Sequence, residues 1–201
     1  MSQLAYSSVP VWARPGGTSD LTTPEPTGSS YVLVGVGDVA DLLARSEARL
    51  PHGTTRLHGD VASVTPLLAT ALSDAVVGVR VHIIADAGAA LALRAVALNA
   101  GLEDDEIEIV TVTAPAPHRP VLEIFCAHCR TVTRASARVD DVVACTGCRR
   151  DLLVYHHVSR RSGHFLGFMV DAETSRPSCG TAHPTDTDQH SATHSHAEEA
   201  R

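Results

Sequence analysis

Two cysteine pairs, Cys126-x2-Cys129 and Cys145-x2-Cys148, with fifteen residues between them, constrain this chain more than any other feature of its sequence. Each Cys-x-x-Cys can wrap a turn that points two sulfurs at one place. The insert is long enough for a hairpin, Thr131 to Thr133 with Val139 to Ala144, that carries the second pair opposite the first. Four thiolates so placed suit tetrahedral Zn2+ at about 2.3 Å from each sulfur. The surrounding segment, residues 121–173, is too short to build a comfortable core alone, whereas structural zinc contributes on the order of 10 kcal/mol or more. These residues are therefore read as a small zinc-ribbon β module with Cys126, Cys129, Cys145 and Cys148 as ligands, unfolded without its metal.

Arg130, Arg149 and Arg150 lie beside the pairs, where they can offset the negative charge of a four-thiolate site. His128, inside the first pair, is expected outside the ligand set. A redox-active dithiol would need only one of the pairs. An iron site of the rubredoxin type uses the same four cysteines and would make the chain an electron carrier. Metal analysis separates these alternatives. A four-thiolate ribbon leaves no open coordination position, and the sequence has no Gly-x-Ser-x-Gly elbow, so no catalytic residue is assigned.

All 16 basic side chains are arginine; the sequence has no lysine. Schiff-base and pyridoxal-phosphate chemistry and the P-loop all need a lysine amine and are excluded. With 23 acidic residues the net charge is −7, which disfavours broad binding to nucleic acid or anionic membrane. Residues 121–173 alone carry seven arginines against six acids, too even a balance for a nucleic-acid ribbon. The N-terminal MSQLAYSSVPVWARPGG lacks a charged leader followed by an apolar run, and no stretch approaches ~18 uninterrupted apolar residues. A soluble, cytoplasmic protein is expected, and in that reducing compartment paired cysteines point to metal before disulfide.

Residues 1–28 are rich in Pro, Gly, Ser and Thr and read as a flexible arm; residues 174–201, with scattered histidines among Ser, Thr, Asp and Glu, read as a disordered tail. Between them, residues 29–114 alternate strand and helix. Tyr31 to Val34 is a strand, Asp38 caps a helix through Val39, Leu42 and Leu43, and Thr54 to His58 is a weaker strand. Thr65-Pro66 is placed at the start of a helix running through Leu68, Leu72 and Val76. Val79 to Ala85 is a β-branched strand, Gly88 to Ala100 a helix closed by Gly101, and Glu106 to Val112 a last strand. This order predicts an α/β domain, a three-layer, mostly parallel sheet. Pro115, Pro117 and Pro120 mark a linker.

Gly35-Val36-Gly37-Asp38-Val39-Ala40 fits the G-x-G-x-x-G/A fingerprint of a dinucleotide site, with Asp60 twenty residues after Ala40. Such a turn presents bare amides to a pyrophosphate, and Asp38 would set a carboxylate beside it. The glycines are read as serving the turn alone, and no cofactor-binding residue is assigned. A nicotinamide-binding electron-transfer component is the alternative function. After the second pair, His157, Ser159, Arg160 and Arg161 precede Phe165, Phe168 and Met169. Arginines beside apolar residues are typical of protein interfaces, so these four are the candidate partner surface, while the two phenylalanines can instead fill the module's core.

Phe125-Cys126-Ala127-His128-Cys129-Arg130-Thr131, Ala144-Cys145-Thr146-Gly147-Cys148, Leu152 to Val154, His157-Val158-Ser159-Arg160-Arg161, Gly167 and Val170-Asp171-Ala172-Glu173 together resemble the C-terminal region of a dimethylamine monooxygenase family, that of its small subunit with a C-terminal zinc ribbon. The stretch from Val81 through Gly101 to Glu108 is similar to that family's α/β region, which in turn resembles the nucleotide-binding half of ferredoxin reductases. Those reductases carry a Cys-Gly-Pro or similar turn after the third strand, where this chain has Ala85-Asp86-Ala87-Gly88. The resemblance implies an accessory or assembly component of a haem-dependent monooxygenase that demethylates dimethylamine. Its implied partners are the other subunits of that complex, a haem-bearing catalytic one together with a flavin and iron–sulfur reductase that carry the redox chemistry.

Overall fold

The computed structural model describes residues 7–14, 17, 27–51, 53–112 and 119–172. The tail read over 174–201, and Pro115 and Pro117 of the linker, lie outside them. The first half is a four-stranded parallel sheet. Its central strand β1 (Ser30–Val36) is flanked by β2 (Thr55–Gly59) on one side and by β3 (Val79–Ala85) then β4 (Ile107–Thr111) on the other, in the order β2-β1-β3-β4. Three helices connect them: α1 (Ala40–Glu47), α2 (Val61–Ser73) and α3 (Ala87–Asn99).

Strand alternation divides the core. Val32, Val34, Val81 and Ile83 pack with Leu68 and Leu72 of α2 and Leu93 of α3. Leu33 and Ile84, pointing the other way, pack with Val39 and Leu43 at α1. Helices on both faces explain why β1 reads as a run of buried apolar residues rather than an alternation.

The helix starts differ from the sequence reading. α2 begins at Val61, capped by Asp60, whose carboxylate accepts the Ser63 amide at 2.9 Å. Thr65 instead donates its hydroxyl to the Val61 carbonyl at 2.6 Å, and Pro66 falls inside the helix, where it supplies no amide to the Ala62 carbonyl. α1 starts at Ala40 behind Val39 with no side-chain cap, so Asp38 does not serve as one. Asp86 caps α3 through the Ala89 amide at 2.9 Å. The cap that a carboxylate supplies to an amide is more local than the apolar spacing that suggested Thr65.

The second half is a five-stranded sheet of β5 (Val121–Cys126), β6 (Val132–Ser136), β7 (Val142–Ala144), β8 (Asp151–Val158) and β9 (Phe165–Met169), ordered β6-β5-β9-β8-β7. The hairpin expected between the two cysteine pairs does not form, because β6 and β7 are the two edges of this sheet. Each cysteine pair instead sits in its own hairpin, β5–β6 or β7–β8, and β9 joins the two, parallel to β5 and antiparallel to β8. The edges curl toward one another: the Thr146 amide donates to Thr133 Oγ1 at 3.0 Å. Phe165 is buried in this half's core, whereas Phe168 points outward.

The halves are laced together. Leu91 of α3 is buried in the ribbon's cluster with Ile124, Leu152 and Phe165. Arg160 pairs with Asp104 at 2.9 Å and Glu103 at 3.3 Å, and Asn99 donates to the Arg161 carbonyl at 2.8 Å. Part of the expected flexible arm proves ordered. Ser7 donates to the His156 carbonyl at 2.8 Å, Val9 is buried in the ribbon cluster, and Trp12, in a one-turn 3₁₀ helix (Val11–Ala13), packs against the clusters of both halves. Val9 and Trp12 carry enough apolar surface to offset the entropy of ordering that short strap.

Candidate metal centre

The two knuckles are built alike. After Cys126 the chain turns so that the Arg130 amide donates back to the Cys126 carbonyl at 2.9 Å and the Cys126 amide to the Thr131 carbonyl at 2.9 Å. After Cys145 the Arg149 amide returns to the Cys145 carbonyl, and the Cys145 amide reaches the Arg150 carbonyl, each again at 2.9 Å. Closing so tight a turn requires one left-handed residue per knuckle, and Arg130 and Arg149 take φ 65° and φ 62°. A non-glycine residue in that region costs on the order of 1 kcal/mol, and the turn imposes it twice.

The sulfurs converge. Cys126 and Cys148 Sγ are 3.8 Å apart, Cys129 and Cys145 Sγ 3.5 Å, and all four lie within 4.8 Å of one another. Sulfurs at about 2.3 Å from the centre of a tetrahedron are separated by about 3.8 Å. A disulfide needs about 2.05 Å, and all four cysteines are free. The spacing therefore suits a single metal ion enclosed by four thiolates. Cys126 and Cys145 are buried; Cys129 and Cys148 reach the surface.

Polar hydrogens point at these sulfurs and help to hold them as anions. The hydroxyl and amide of Thr131 bring Cys129 down to about 6. The Cys148 amide, then that of Gly147, lowers Cys145. At Cys148 the Arg150 amide favours the thiolate, but burial and the neighbouring sulfurs of Cys129, Cys145 and Cys126 outweigh it and push the group up to about 11. One thiol resisting ionisation while its neighbours ionise readily is what several like charges in one small volume produce, and a cation at their centre removes the conflict. Gly147 matters sterically: a Cβ there would lie 2.3 Å from Thr131 Oγ1 and 3.1 Å from Cys129 Sγ. Sequence reading missed Thr131 and Gly147, whose only signal is their position within or just after a knuckle.

Arg130 and Arg149 are exposed beside the cage, and Arg150 is 3.8 Å from Asp171. His128 is exposed, apart from the sulfur cluster, as expected of a residue that is not a ligand. Of the candidate partner surface, His157 and the Arg161 side chain are exposed, Ser159 closes its own loop by accepting the Ser162 amide at 3.3 Å, and Arg160 is engaged by Glu103 and Asp104 of the same chain.

The glycine turn ends β1 beside a cleft of ≈ 410 Å³ lined by Val36, Gly37, His58, Asp60, Asp86 and Arg134 among others. It opens at the carboxyl ends of β1, β2 and β3, where the strand order reverses, the usual place for a ligand in an open α/β sheet. Its chemistry is poorly matched to a pyrophosphate. The helix amides that would meet phosphate oxygens are already taken by Asp60 and Asp86, and Ser63 holds the Asp60 carboxyl below its ordinary value. Arg134 is the one cation of the lining. Gly37 takes φ 82° with nothing within 4 Å of a Cβ position, so it serves the backbone turn rather than a close approach.

Residues 123–168 match the family described as dimethylamine monooxygenase subunit DmmA-like, C-terminal domain. Over 153 residues the chain is 33% identical to the heme-dependent oxidative N-demethylase delta subunit of Ectopseudomonas mendocina (strain ymp), an alignment covering 74% of this chain and 83% of that protein. No solved structure matches the chain.

Proposed function

Starting from the chain's membership of the family of the heme-dependent oxidative N-demethylase delta subunit, we propose that it is a non-catalytic, accessory or assembly subunit of an N-demethylating monooxygenase complex. One observation carries this reading beyond the relationship itself: the chain's one cluster of metal-ligating side chains, among the described residues, is a cage in which all four positions around the centre are sulfur. A closed cage stabilises a fold and leaves no place for substrate or oxygen. The metal is proposed to be Zn2+, held by Cys126, Cys129, Cys145 and Cys148, and its role is to hold β5–β6 and β7–β8 together around β9.

The haem that oxidises the amine and the flavin and iron–sulfur groups that deliver electrons belong, on this reading, to partner subunits. The substrate is a methylated amine such as dimethylamine. The ribbon is the docking element, with His157 and Arg161 available to a partner and Arg160 shared with the chain's own acids. The parallel sheet retains the outline of a reductase's nucleotide-binding half, with acidic caps where phosphate would sit. A cytoplasmic location accords with four unpaired thiols, and among the described residues no helix is long and apolar enough to cross a membrane.

The test is co-expression with the subunits encoded alongside it, followed by purification through this chain. A haem-bearing subunit should co-elute, and the chain should carry stoichiometric zinc with no visible-region iron–thiolate absorbance. Stoichiometric iron with a reversible one-electron couple would replace this reading with an electron carrier.

A further inference from the structure

The five-stranded sheet has one apolar face that the chain leaves uncovered. Its residues alternate: Ile124, Thr133, Val154 and Phe165 are buried inside the curl, and their neighbours point outward. On the outside, the register sets Phe125 between Val132 and Leu166, and Leu153 between Phe168 and Val142. Leu166 and Phe168 are two residues apart on β9, about 7 Å, so the two cross-strand rows are adjacent. Phe168 is 43% exposed and Val142 54%. Two of the three phenylalanines in the sequence lie here. Single exposed apolar side chains are ordinary; a contiguous set spanning five strands marks an interaction surface.

The chain's own C-terminal tail is a poor cover. Residues 174–201 contain no Val, Leu, Ile, Met, Phe, Tyr or Trp with which to bury such a face. The charge beside it is also unanswered. At the knuckle end Arg130 and Arg149 are exposed and have no ion-pair partner among the described residues, with the exposed Asp151 of β8 as the nearest acid in sequence. Asp171 is engaged by Arg150 at 3.8 Å, and Glu123, further along the face, by His164 at 3.1 Å. Aromatic residues with arginines at the margin are the composition of a protein-binding centre.

We propose that this face is where the chain docks on another subunit of its complex, one that presents an apolar surface edged by carboxylates opposite Arg130 and Arg149. The inference rests on the accessory-subunit reading and adds the surface to it. The Ser159–Arg161 loop, partly occupied by Glu103, Asp104 and Asn99, lacks the desolvated apolar centre that an interface needs.

The full chain is co-expressed with the other subunits as wild type, Phe168→Asp, Val142→Asp, the double variant, and Val77→Asp as a control on the other half, where Val77 is 99% exposed. Each single variant of the face should weaken association about tenfold or more, the double should release the chain, and Val77→Asp should bind as wild type. All should keep their metal. Unchanged co-purification of the double variant overturns the proposal. Hydroxyl-radical labelling of the wild type reads the same face without substitution: Phe125 and Phe168 should react in the free chain and be protected in the complex. Protection already present in the free chain, whether constant or rising with concentration, assigns the face to another segment or to a second copy and overturns the proposal. A wild-type chain that joins no subunit defeats the accessory reading as well, whereas a wild type that joins with Phe168 still reactive defeats the choice of face alone.

Discussion

The two halves of this chain reach a stable fold by different means. In the α/β half, strands covered on both sides bury Val34, Leu68, Val81, Ile83 and Leu93 completely or nearly so, and the helices shield the sheet. In the ribbon the cluster's own apolar members are Leu122, Ile124, Ala137, Leu152, Val154 and Phe165; the rest are two cysteines and the borrowed Val9 and Leu91. Hydrophobic area suffices for one half. In the other it is supplemented by a cross-link through four sulfurs and by side chains lent from elsewhere. The comparison teaches that a curled sheet whose outer face stays apolar gains little from its own burial, so its cohesion is placed at one end, in the knuckles.

The harshest way to break the comparison is to take the metal away. Strong chelation, or Cys145→Ser, should cost the ribbon on the order of 10 kcal/mol and open Leu122 to Met169 to proteolysis and amide exchange, while β1 and β3 stay protected. Loss of protection in both halves at once would mean that the lacing through Leu91 and Trp12 makes them a single cooperative unit. Acid should act in the same direction. Thr131 lowers Cys129 from its ordinary 9.0 to about 6, so the stability drawn from that thiolate is complete above the unfolded value and lost as pH falls through about 6. Metal release followed with a chromogenic chelator should therefore rise between pH 7 and pH 5.

A core truncation in the other half should give the reverse signature. Leu68→Ala, at a fully buried position, is expected to cost about 2–5 kcal/mol in thermal or denaturant unfolding while the chain still carries its full complement of metal. Smaller is the effect of removing a helix cap: Asp86→Ala should cost about 1 kcal/mol and leave metal content unchanged, since it frees the Ala89 amide alone. Smallest is Arg160→Ala. Its ion pairs to Glu103 and Asp104 are half exposed, so a loss of about 0.2–1 kcal/mol is expected, shrinking in high salt. A larger loss would make that loop a principal clamp between the halves.

What could be read from the sequence was what is local. Each knuckle is six residues long, and its ligands, turn and neighbouring arginines are determined within it; the four sulfurs accordingly meet as the spacing suggests. Strand and helix order in the first half was legible because each element carries its own period, as in Val79 to Ala85. Pairing was not. Nothing in Val132 or Val142 indicates that their strands lie on opposite edges, because β9, which separates them, comes later in the chain. The roles of Val9 and Trp12 were hidden for the same reason: amid prolines and glycines they gain their meaning only from residues far away. Thr65-Pro66 misled because a good start signal lost to a carboxylate five residues upstream.

The contacts of Ser7 and Ser8 with His156 and Val158 span 149 and 150 positions. At a translation rate of about 5–20 residues per second, the opening segment leaves the ribosome roughly 7–30 s before its seat exists. It must wait, with Val9 and Trp12 unsheltered, until β8 has emerged. The beginning of the polypeptide is thus a latch that can click shut only after nearly everything else has been made, and a bulky fusion at that end would obstruct the last step of maturation rather than the first.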